Sequence, residues 1–240
     1  SLEPGERERF AFLLAFTPQG KPAAREQLRR LRDADAIREE HQHYYRRELS
    51  TCRVFTPDHV INQGAFWAKV NTLRVLGHYP EGEAFTNEPG VSSNIVARDV
   101  VWFVYGCDHF RPESSRRLLD KLAEVQYENG MIPEYYNALT GETEDYGLNI
   151  NDATPLFVLG VNHHARSTGD FEWLEKMYDS VVRASRYILS QRDERGLVFC
   201  EAEGHEVWGI CSWRNVIPNY RINGAVTEIN AECAAALRAV

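Results

Sequence analysis

Apolar residues recur at spacings of three and four along most of this chain, a pattern typical of helices with one buried face. The pattern predicts helices over residues 60–77, 95–106, 112–128, 155–167, 171–191 and 226–240. The predicted buried face of the helix over 171–191 is Leu174, Tyr178, Val181, Ser185 and Ile188. That of the last helix is Ile229, Cys233, Ala236, Leu237 and Val240. No convincing set of strands lies between them, so we expect a mainly helical protein of successive helical hairpins.

Residues that commonly start and stop helices support these boundaries. Glycine favours helix ends, proline favours first turns, and a hydroxyl or carboxylate side chain can cap the first turn. We therefore expect helix ends at Gly77 and Gly106, first turns at Pro112 and Pro155, and a cap at Thr154. The pair Gly169-Asp170 is expected to end one helix and to cap the next.

The beginning of the chain has a different pattern. An aromatic-rich run from Phe10 to Phe16, closed by Pro18, predicts a strand that must pair with a sheet formed elsewhere. Residues 23–49 are strongly charged and predict a solvated linker helix. We therefore divide the chain into a segment with a terminal strand (1–22), a linker helix segment (23–59) and a helical domain (60–240).

One predicted helix begins with charged residues on an otherwise apolar segment, Ala97-Arg98-Asp99-Val100-Val101-Trp102. A charge beside an apolar surface is costly unless it is paired, so Arg98 and Asp99 need partners, either each other or a ligand. Guanidinium and carboxylate groups suit a hydroxyl-rich ligand, and Trp102 offers a flat apolar face one turn further on. The segment therefore predicts a sugar-binding site, with a salt bridge between two helices as the alternative.

Polar and aromatic residues also concentrate in three connections, one of which contains residues 86–90. Of the other two, the first spans residues 134–152 and ends in Asn151 and Asp152, and the second spans residues 196–224. Loops of this length in a compact domain are usually binding loops, and their aromatic and amide content argues against disorder. Aromatic rings can stack on sugars while amides and carboxylates bond the hydroxyls. The candidate residues of the second connection are Glu206, Trp208, Trp213 and Asn215.

Composition narrows the classes of function. The 240 residues are 43% hydrophobic, enough for a globular core, and the net charge of -8 argues against nucleic acid as a partner. No apolar run reaches the roughly 20 residues that span a bilayer, so no membrane partner is expected. The chain starts at Ser1 without a signal peptide, and we expect a processed chain or a fragment. Five scattered cysteines predict reduced thiols in a cytoplasmic protein.

Other chemistries find little support. The sequence contains no glycine-rich phosphate-binding motif and no nucleophile-elbow motif. His41 and His43 lie on different faces of a helix and are expected at the surface. His163 and His164 are adjacent, so we expect one in the core and one exposed. Neither a metal ion nor a cofactor is expected.

Five short segments match a known pattern in order and spacing: residues 96–102, 151–157, 168–170, 195–198 and 224–231. They read Val-Ala-Arg-Asp-Val-Val-Trp, Asn-Asp-Ala-Thr-Pro-Leu-Phe, Thr-Gly-Asp, Arg-Gly-Leu-Val and Gly-Ala-Val-Thr-Glu-Ile-Asn-Ala. On the basis of these segments, residues 67–240 resemble the catalytic domain of glycogen-debranching-type amylo-1,6-glucosidases and related six-hairpin glycosidases. The resemblance implies an (α/α)6 toroid, of which this chain would hold about half. Residues 2–6 resemble the last strand of the β-sandwich that precedes such barrels.

The resemblance also implies roles for individual residues. Arg98 and Asp99 would bind the terminal sugar unit, and Glu228 lies in the matching segment at the start of the last helix. The family usually has its general acid in a Trp-x-Asp motif, where this chain has Trp213-Arg214-Asn215. The usual acid is therefore replaced by an amide, and the base of the relatives would lie beyond the last residue.

Two carboxylates near the missing acid are candidates for catalysis, Asp152 and Glu206. Asp152 lies just ahead of a predicted helix, whose dipole favours its anionic form and suits hydroxyl binding better than proton donation. It is nevertheless preferred slightly for its place in the matching segment.

We expect an inverting glycoside hydrolase that acts on an α-glucoside or a related saccharide. Two alternatives stay open: a non-catalytic sugar-binding relative that lost its acid, and a phosphorylase or lyase on the same scaffold. The expected partners are an oligosaccharide or glycoside, and the rest of the barrel or another chain that packs on the open seam.

Overall fold

The computed structural model describes residues 3–15, 17, 19–87, 90–201 and 223–240. The described part of the chain is mainly helical, with 54% of the described residues in helices. It divides into two units, Ser1–Arg53 and Val54–Val240. The division lies inside the segment that the sequence assigns to a linker. None of the described helices is long and apolar enough to cross a lipid bilayer.

The first unit contains two helices where the sequence predicts one. They are α1 (Lys21–Arg30) and α2 (Ala34–Ser50), and the break occurs because the carboxylate of Asp33 accepts a hydrogen bond from the backbone N–H of Ala36 at 2.9 Å and so caps α2. His41 and His43 are exposed, as predicted.

The predicted strand near the start of the chain does not form among the described residues 10–15. Phe10, Phe12 and Leu14 expose 76%, 90% and 75% of their surface. A strand needs a hydrogen-bonded neighbour, and no such neighbour lies beside this segment in the described residues. Its assignment to a β-sandwich stays a prediction.

All six predicted helices form in the second unit. They are α3 (His59–Arg74), α4 (Ala97–Cys107), α5 (Pro112–Glu124), α6 (Ala153–Thr168), α7 (Phe171–Ser190) and α8 (Thr227–Ala239). The turn between α6 and α7 is confirmed: Gly169 is left-handed, with φ 72°, and the Asp170 side chain accepts from the N–H of Trp173 at 3.0 Å. Pro112 is the first residue of α5, as expected.

Three boundary residues have other roles than predicted. Gly77 lies in a strand after the end of α3, and Gly106 lies inside α4. The cap of α6 is Asp152 instead of Thr154, and α6 therefore starts earlier than predicted. The Thr154 hydroxyl instead accepts a hydrogen bond from the N–H of Ile132 at 3.0 Å, which fixes the preceding connection to α6.

In the described ranges, five short strands that the sequence does not predict accompany the helices. Strands β1 (Leu76–Tyr79) and β2 (Gly82–Phe85) form an antiparallel hairpin. Strands β3 (Asn94–Val96), β4 (Tyr135–Asn137) and β5 (Thr143–Glu144) form an antiparallel sheet in the order β3-β4-β5. Since β3 leads directly into α4, this sheet brings the connection before α6 to the first turn of α4.

Helix α6 is the centre of the second unit and packs against α4, α5, α7 and α8. It is buried on most sides. The helices next to it follow the predicted faces with one shift: in α7 the buried positions are Trp173, Met177, Val181, Ala184, Ser185, Tyr187 and Ile188. Tyr178, which the sequence places on the buried face, is 58% exposed. In α8, Ile229, Cys233 and Ala236 are buried as predicted, whereas Val240 is 55% exposed.

Candidate functional site

Arg98 lies in the first turn of α4, with its guanidinium turned into the protein. Its Nε and Nη2 donate to the two carboxylate oxygens of Asp152, with a distance of 2.7 Å from Nη2 to Oδ1. Nη2 also lies 3.2 Å from Oε1 of Glu134. The partners of Arg98 are thus carboxylates from another helix and a loop, instead of the neighbouring Asp99. The alternative that the sequence offered, a salt bridge between two helices, is present.

The carboxylate of Glu134 is held from a second side by Asn151. Oε2 of Glu134 accepts a short hydrogen bond from Nδ2 of Asn151, and both residues are buried. Oδ1 of Asn151 is buried and has no hydrogen-bond partner among the described residues. We call Arg98, Glu134, Asn151 and Asp152 the Arg98 cluster. It contains one cation and two carboxylates in a largely dry environment.

The local structure explains how these residues meet. The backbone carbonyl of Glu134 accepts from the N–H of Ala97 at 2.8 Å, so Glu134 is fixed beside the first turn of α4. Asp152 is the cap residue of α6 but makes no side-chain hydrogen bond to its own helix, because both oxygens bind Arg98. Burial opposes the charge of Arg98, but the hydrogen bonds that Arg98 donates to Asp152 and the charge of Glu134 outweigh this effect and raise the pKa of Arg98.

Two tyrosines lie beside the Arg98 cluster. The rings of Tyr135 and Tyr146 are 6.0 Å apart, and Tyr146 has a left-handed backbone with φ 58°. This conformation is held by Glu144, whose Oε1 accepts from the N–H of Tyr146 at 2.8 Å. Burial raises the pKa of Tyr146 to about 12, and the charges of nearby acidic groups, Glu134 among them, add to that rise. The Tyr146 hydroxyl is therefore protonated and able to donate a hydrogen bond.

The other predicted residues of α4 lie nearby but are less enclosed. Asp99 is half-buried, and Trp102 exposes 57% of its surface one turn beyond Arg98. The ring of Tyr105 is 5.7 Å from that of Trp102. An exposed indole beside a second aromatic ring can stack on a bound molecule.

Helix α8 adds two carboxyl groups, of which the sequence analysis singled out only one. Glu228 is half-buried in the first turn of α8. Glu232, one turn further on, has Oε2 buried without a hydrogen-bond partner among the described residues. Burial raises the pKa of Glu232 to about 7, and the charge of Asp152 adds to that rise while Arg98 opposes it. Glu232 therefore faces the Arg98 cluster.

The four-residue spacing of the acids at positions 228 and 232 is the sequence signal that was available for Glu232. It is a weak signal, because acidic residues at this spacing are common on exposed helix faces. What distinguishes Glu232 is that its neighbours Ile229 and Cys233 are both buried.

Four predicted residues lie outside the described residues: Glu206, Trp208, Trp213 and Asn215. The chain on either side of that segment is well anchored. Cys200 and Gly224 exchange two backbone hydrogen bonds of 2.8 Å, and the Asn230 side chain bonds the N–H and C=O of Val198 at 2.8 and 2.9 Å. The two ends of the segment therefore meet beside the start of α8.

A second buried polar cluster consists of Asp108, next to the end of α4, and two histidines of α6. The carboxylate of Asp108 hydrogen-bonds Nδ1 of His163 at 2.8 Å and Nδ1 of His164 at 2.7 Å. The side chain of His164 is 2% exposed and that of His163 is 22% exposed. His164 is thus the core histidine that the sequence predicts, whereas His163 is half-buried instead of exposed. Both rings contact the same carboxylate.

In comparisons with known proteins, no family model and no curated protein matches this chain. The chemistry of the site has to be inferred from its own residues.

Proposed function

We propose that this protein is a carbohydrate-active protein of the (α/α)6 type and an inverting glycoside hydrolase that acts on an α-glucoside or a related saccharide. The observation that supports it best is the Arg98 cluster, in which a buried guanidinium is held between two carboxylates beside aromatic rings. Sugars are bound by such combinations of charged hydrogen-bonding groups and aromatic faces.

The packing of the helices is consistent with part of a toroid. Alternate helices pack on each other, α4 with α6 and α6 with α8, while α5 packs with α7. In a toroid of helical hairpins, one helix of each pair belongs to an inner ring and the other to an outer ring. Arg98, Asp152 and Glu232 lie on α4, α6 and α8 or at their ends, so in this proposal the site belongs to the inner ring.

Each residue of the Arg98 cluster has a role in this proposal. Nη1 of Arg98 makes no hydrogen bond to any described residue, so its two N–H groups can donate to sugar hydroxyls. Oδ1 of Asn151 and the remaining lone pairs of Asp152 can accept from them. Asp99 and Glu228 border the site, and Trp102 supplies a stacking face.

Asp152 is better suited to binding than to proton donation. Both of its oxygens already accept hydrogen bonds from Arg98. In the proposal it accepts hydrogen bonds from hydroxyls. Its predicted catalytic role, like that of Glu206, stays a prediction.

Arg98→Ala tests the binding site. We expect affinity for an α-linked glucose disaccharide to fall at least tenfold, because a hydrogen bond to a charged group contributes about 1.5 kcal/mol or more. Titration calorimetry measures the affinity, and circular dichroism checks that the variant is folded. Arg98→Lys keeps the charge but loses the planar fork, so it should bind more weakly than the parent protein as well.

Arg238→Ala is the matched control, since Arg238 is exposed and its Nε bonds only a carbonyl of its own helix, at 3.1 Å. Its affinity should equal that of the parent protein. Equal affinity of the folded Arg98 variants would contradict the proposed site. Saturable binding without release of reducing sugar would favour a non-catalytic sugar-binding protein, and a requirement for phosphate would favour a phosphorylase.

A further inference from the structure

Among the described residues, Glu232 is the one carboxyl group next to the Arg98 cluster that has a buried oxygen without a hydrogen-bond partner. Oε2 of Glu232 is excluded from solvent. The charged groups that face it are Asp152 at the cap of α6, Arg98 on α4 and Glu228 on its own helix. Two of these three groups are anionic.

A buried carboxylate without a hydrogen-bond donor is unfavourable, and nearby anions increase the cost. A protonated carboxyl avoids that cost and presents an O–H donor. Glu232 therefore has an environment that favours the protonated form of its carboxyl group. Carboxyl groups of this kind act as proton donors in glycoside hydrolysis.

The other carboxylates of the site do not meet this condition. Asp152 binds Arg98 through both oxygens, and Glu134 binds Arg98 and Asn151. Each is held as a hydrogen-bond acceptor. The residue that replaces the expected acid of the family motif, Asn215, carries an amide, which has no proton to transfer near neutral pH.

We propose that Glu232 is the general acid of this site and protonates the glycosidic oxygen of the substrate. This inference rests on the proposed function. In the step, the O–H bond of Glu232 breaks and its proton moves to the glycosidic oxygen. The bond from the anomeric carbon to that oxygen breaks, and the oxygen keeps the electron pair. Water adds its hydroxyl group to the anomeric carbon, and the proton that the water loses returns through the solvent to Glu232.

The electrostatics agree with this assignment. Burial, together with the charges of Asp152 and Glu228, raises the pKa of Glu232 to about 7, against the opposing effect of Arg98. An acid with such a pKa is largely protonated below neutral pH and loses its proton just above it.

Glu232→Gln tests the inference with two substrates. One is an α-linked glucose disaccharide, whose leaving group needs a proton, and the other is α-glucosyl fluoride, whose leaving group needs little assistance. We expect kcat on the disaccharide to fall about 10²- to 10⁴-fold, the usual contribution of general acid catalysis. Activity on the fluoride should stay within about tenfold of the parent protein, as expected if only proton donation is lost.

The pH profile gives a second readout. In the parent protein, kcat/KM on the disaccharide should fall as the pH rises through about 7, because Glu232 loses its proton. This alkaline limb should be absent in the variant. Glu175→Gln, an exposed carboxylate on α7, is the control and should retain both the rate and the profile.

The stability of the variant against unfolding is a further check, because the loss of a purely structural contact would also change that stability. The pKa of Glu232 is higher in the folded state than in the unfolded chain. The contribution of its protonated carboxyl to stability is therefore complete below the ordinary pKa of glutamate and is lost as the pH rises through about 7. Glu232→Gln should therefore be as stable as the parent protein at pH 4 and relatively more stable at pH 8.

The outcomes separate the inference from the function on which it rests. Unchanged kcat on the disaccharide would show that another group is the acid and would leave the proposed function intact. Equal losses on both substrates would show a structural role and overturn the inference. If the parent protein hydrolyses neither substrate, the inference and the hydrolase proposal both fail, and the Arg98 binding test then decides whether sugar binding remains.

Discussion

At the scale of single residues, each of the two main buried ionic sites combines a charged group with more than one partner. Asp108 shares its two oxygens between two adjacent histidines, whose side chains point about 100° apart around α6. Adjacent residues cannot share one helix face, but they can straddle a group that lies between two faces. Adjacency in the sequence therefore gave no reason to expect that both rings contact one carboxylate.

Asp108→Asn should destabilise the protein by about 1.5–3 kcal/mol at neutral pH, the cost of weakening hydrogen bonds to a charged group. Burial alone would raise the pKa of Asp108, but hydrogen bonds, chiefly from His164, lower it below its ordinary value. The stabilisation is therefore present above the ordinary pKa and is lost as the pH falls through the lowered value. Urea unfolding at pH 7 and at pH 3 measures both effects.

Between pH 7 and pH 3, the Asp108→Asn variant should lose less stability than the parent protein. Asp179→Asn is the control, because the Asp179 side chain is 86% exposed and pairs only with Arg183 one turn away on its own helix. A parent protein and an Asp108 variant with the same stability at pH 7 would show that the two histidines do not depend on the carboxylate.

At the scale of elements, the helices were predictable because their apolar spacing extends over three or more turns. The strands were not, since each contains only two to four residues and shows no clear alternation. The helix faces were predictable to within one position. In α7 the bulky Trp173 is buried, with its Nε1 donating to Asp120 at 2.6 Å, and Tyr178 is left exposed. The spacing of apolar residues alone does not show whether Trp173 or Tyr178 lies on the buried face.

A tight contact between the turn after α5 and α7 gives a prediction at this scale. Gly130 has a left-handed backbone with φ 99°, and a Cβ atom there would lie 2.3 Å from the carbonyl oxygen of Arg183. Gly130→Ala should destabilise the protein by about 3 kcal/mol or more, because the strain of a left-handed alanine, about 1–2 kcal/mol, adds to a clash with the backbone. Chemical denaturation measures the change.

Gly196→Ala is the matched control. Gly196 is also left-handed, with φ 78°, but a Cβ atom there has nothing within 4 Å. This variant should lose only the strain energy, about 1–2 kcal/mol. Equal losses in the two variants would show that the turn at Gly130 can move away from Arg183 at no cost.

At the scale of the whole molecule, the sequence located the parts of the site but not their pairing. Arg98 and Asp152 were both singled out, yet they are 54 positions apart, and only the packing of α4 on α6 and the sheet β3-β4 bring them together with Glu134. Glu232 was missed because its burial depends on the packing of α8 on α6. Such contacts between distant segments have no local signal in one sequence.

The two units differ in how much core they contain, and this difference predicts how they behave when they are separated. No described residue before Val54 is buried, and every buried apolar residue lies between Leu73 and Ala236. Most of the stability of helices in proteins comes from packing of an apolar face, which α1 and α2 lack, since neither contains a buried residue. We therefore expect residues 1–53 alone to show little helix by circular dichroism.

Residues 54–240 should unfold cooperatively, with a midpoint within a few degrees of that of the whole chain, which serves as the control. A stable, highly helical fragment 1–53, or the loss of the cooperative transition from 54–240, would contradict the expectation that the core of the second unit is sufficient for folding.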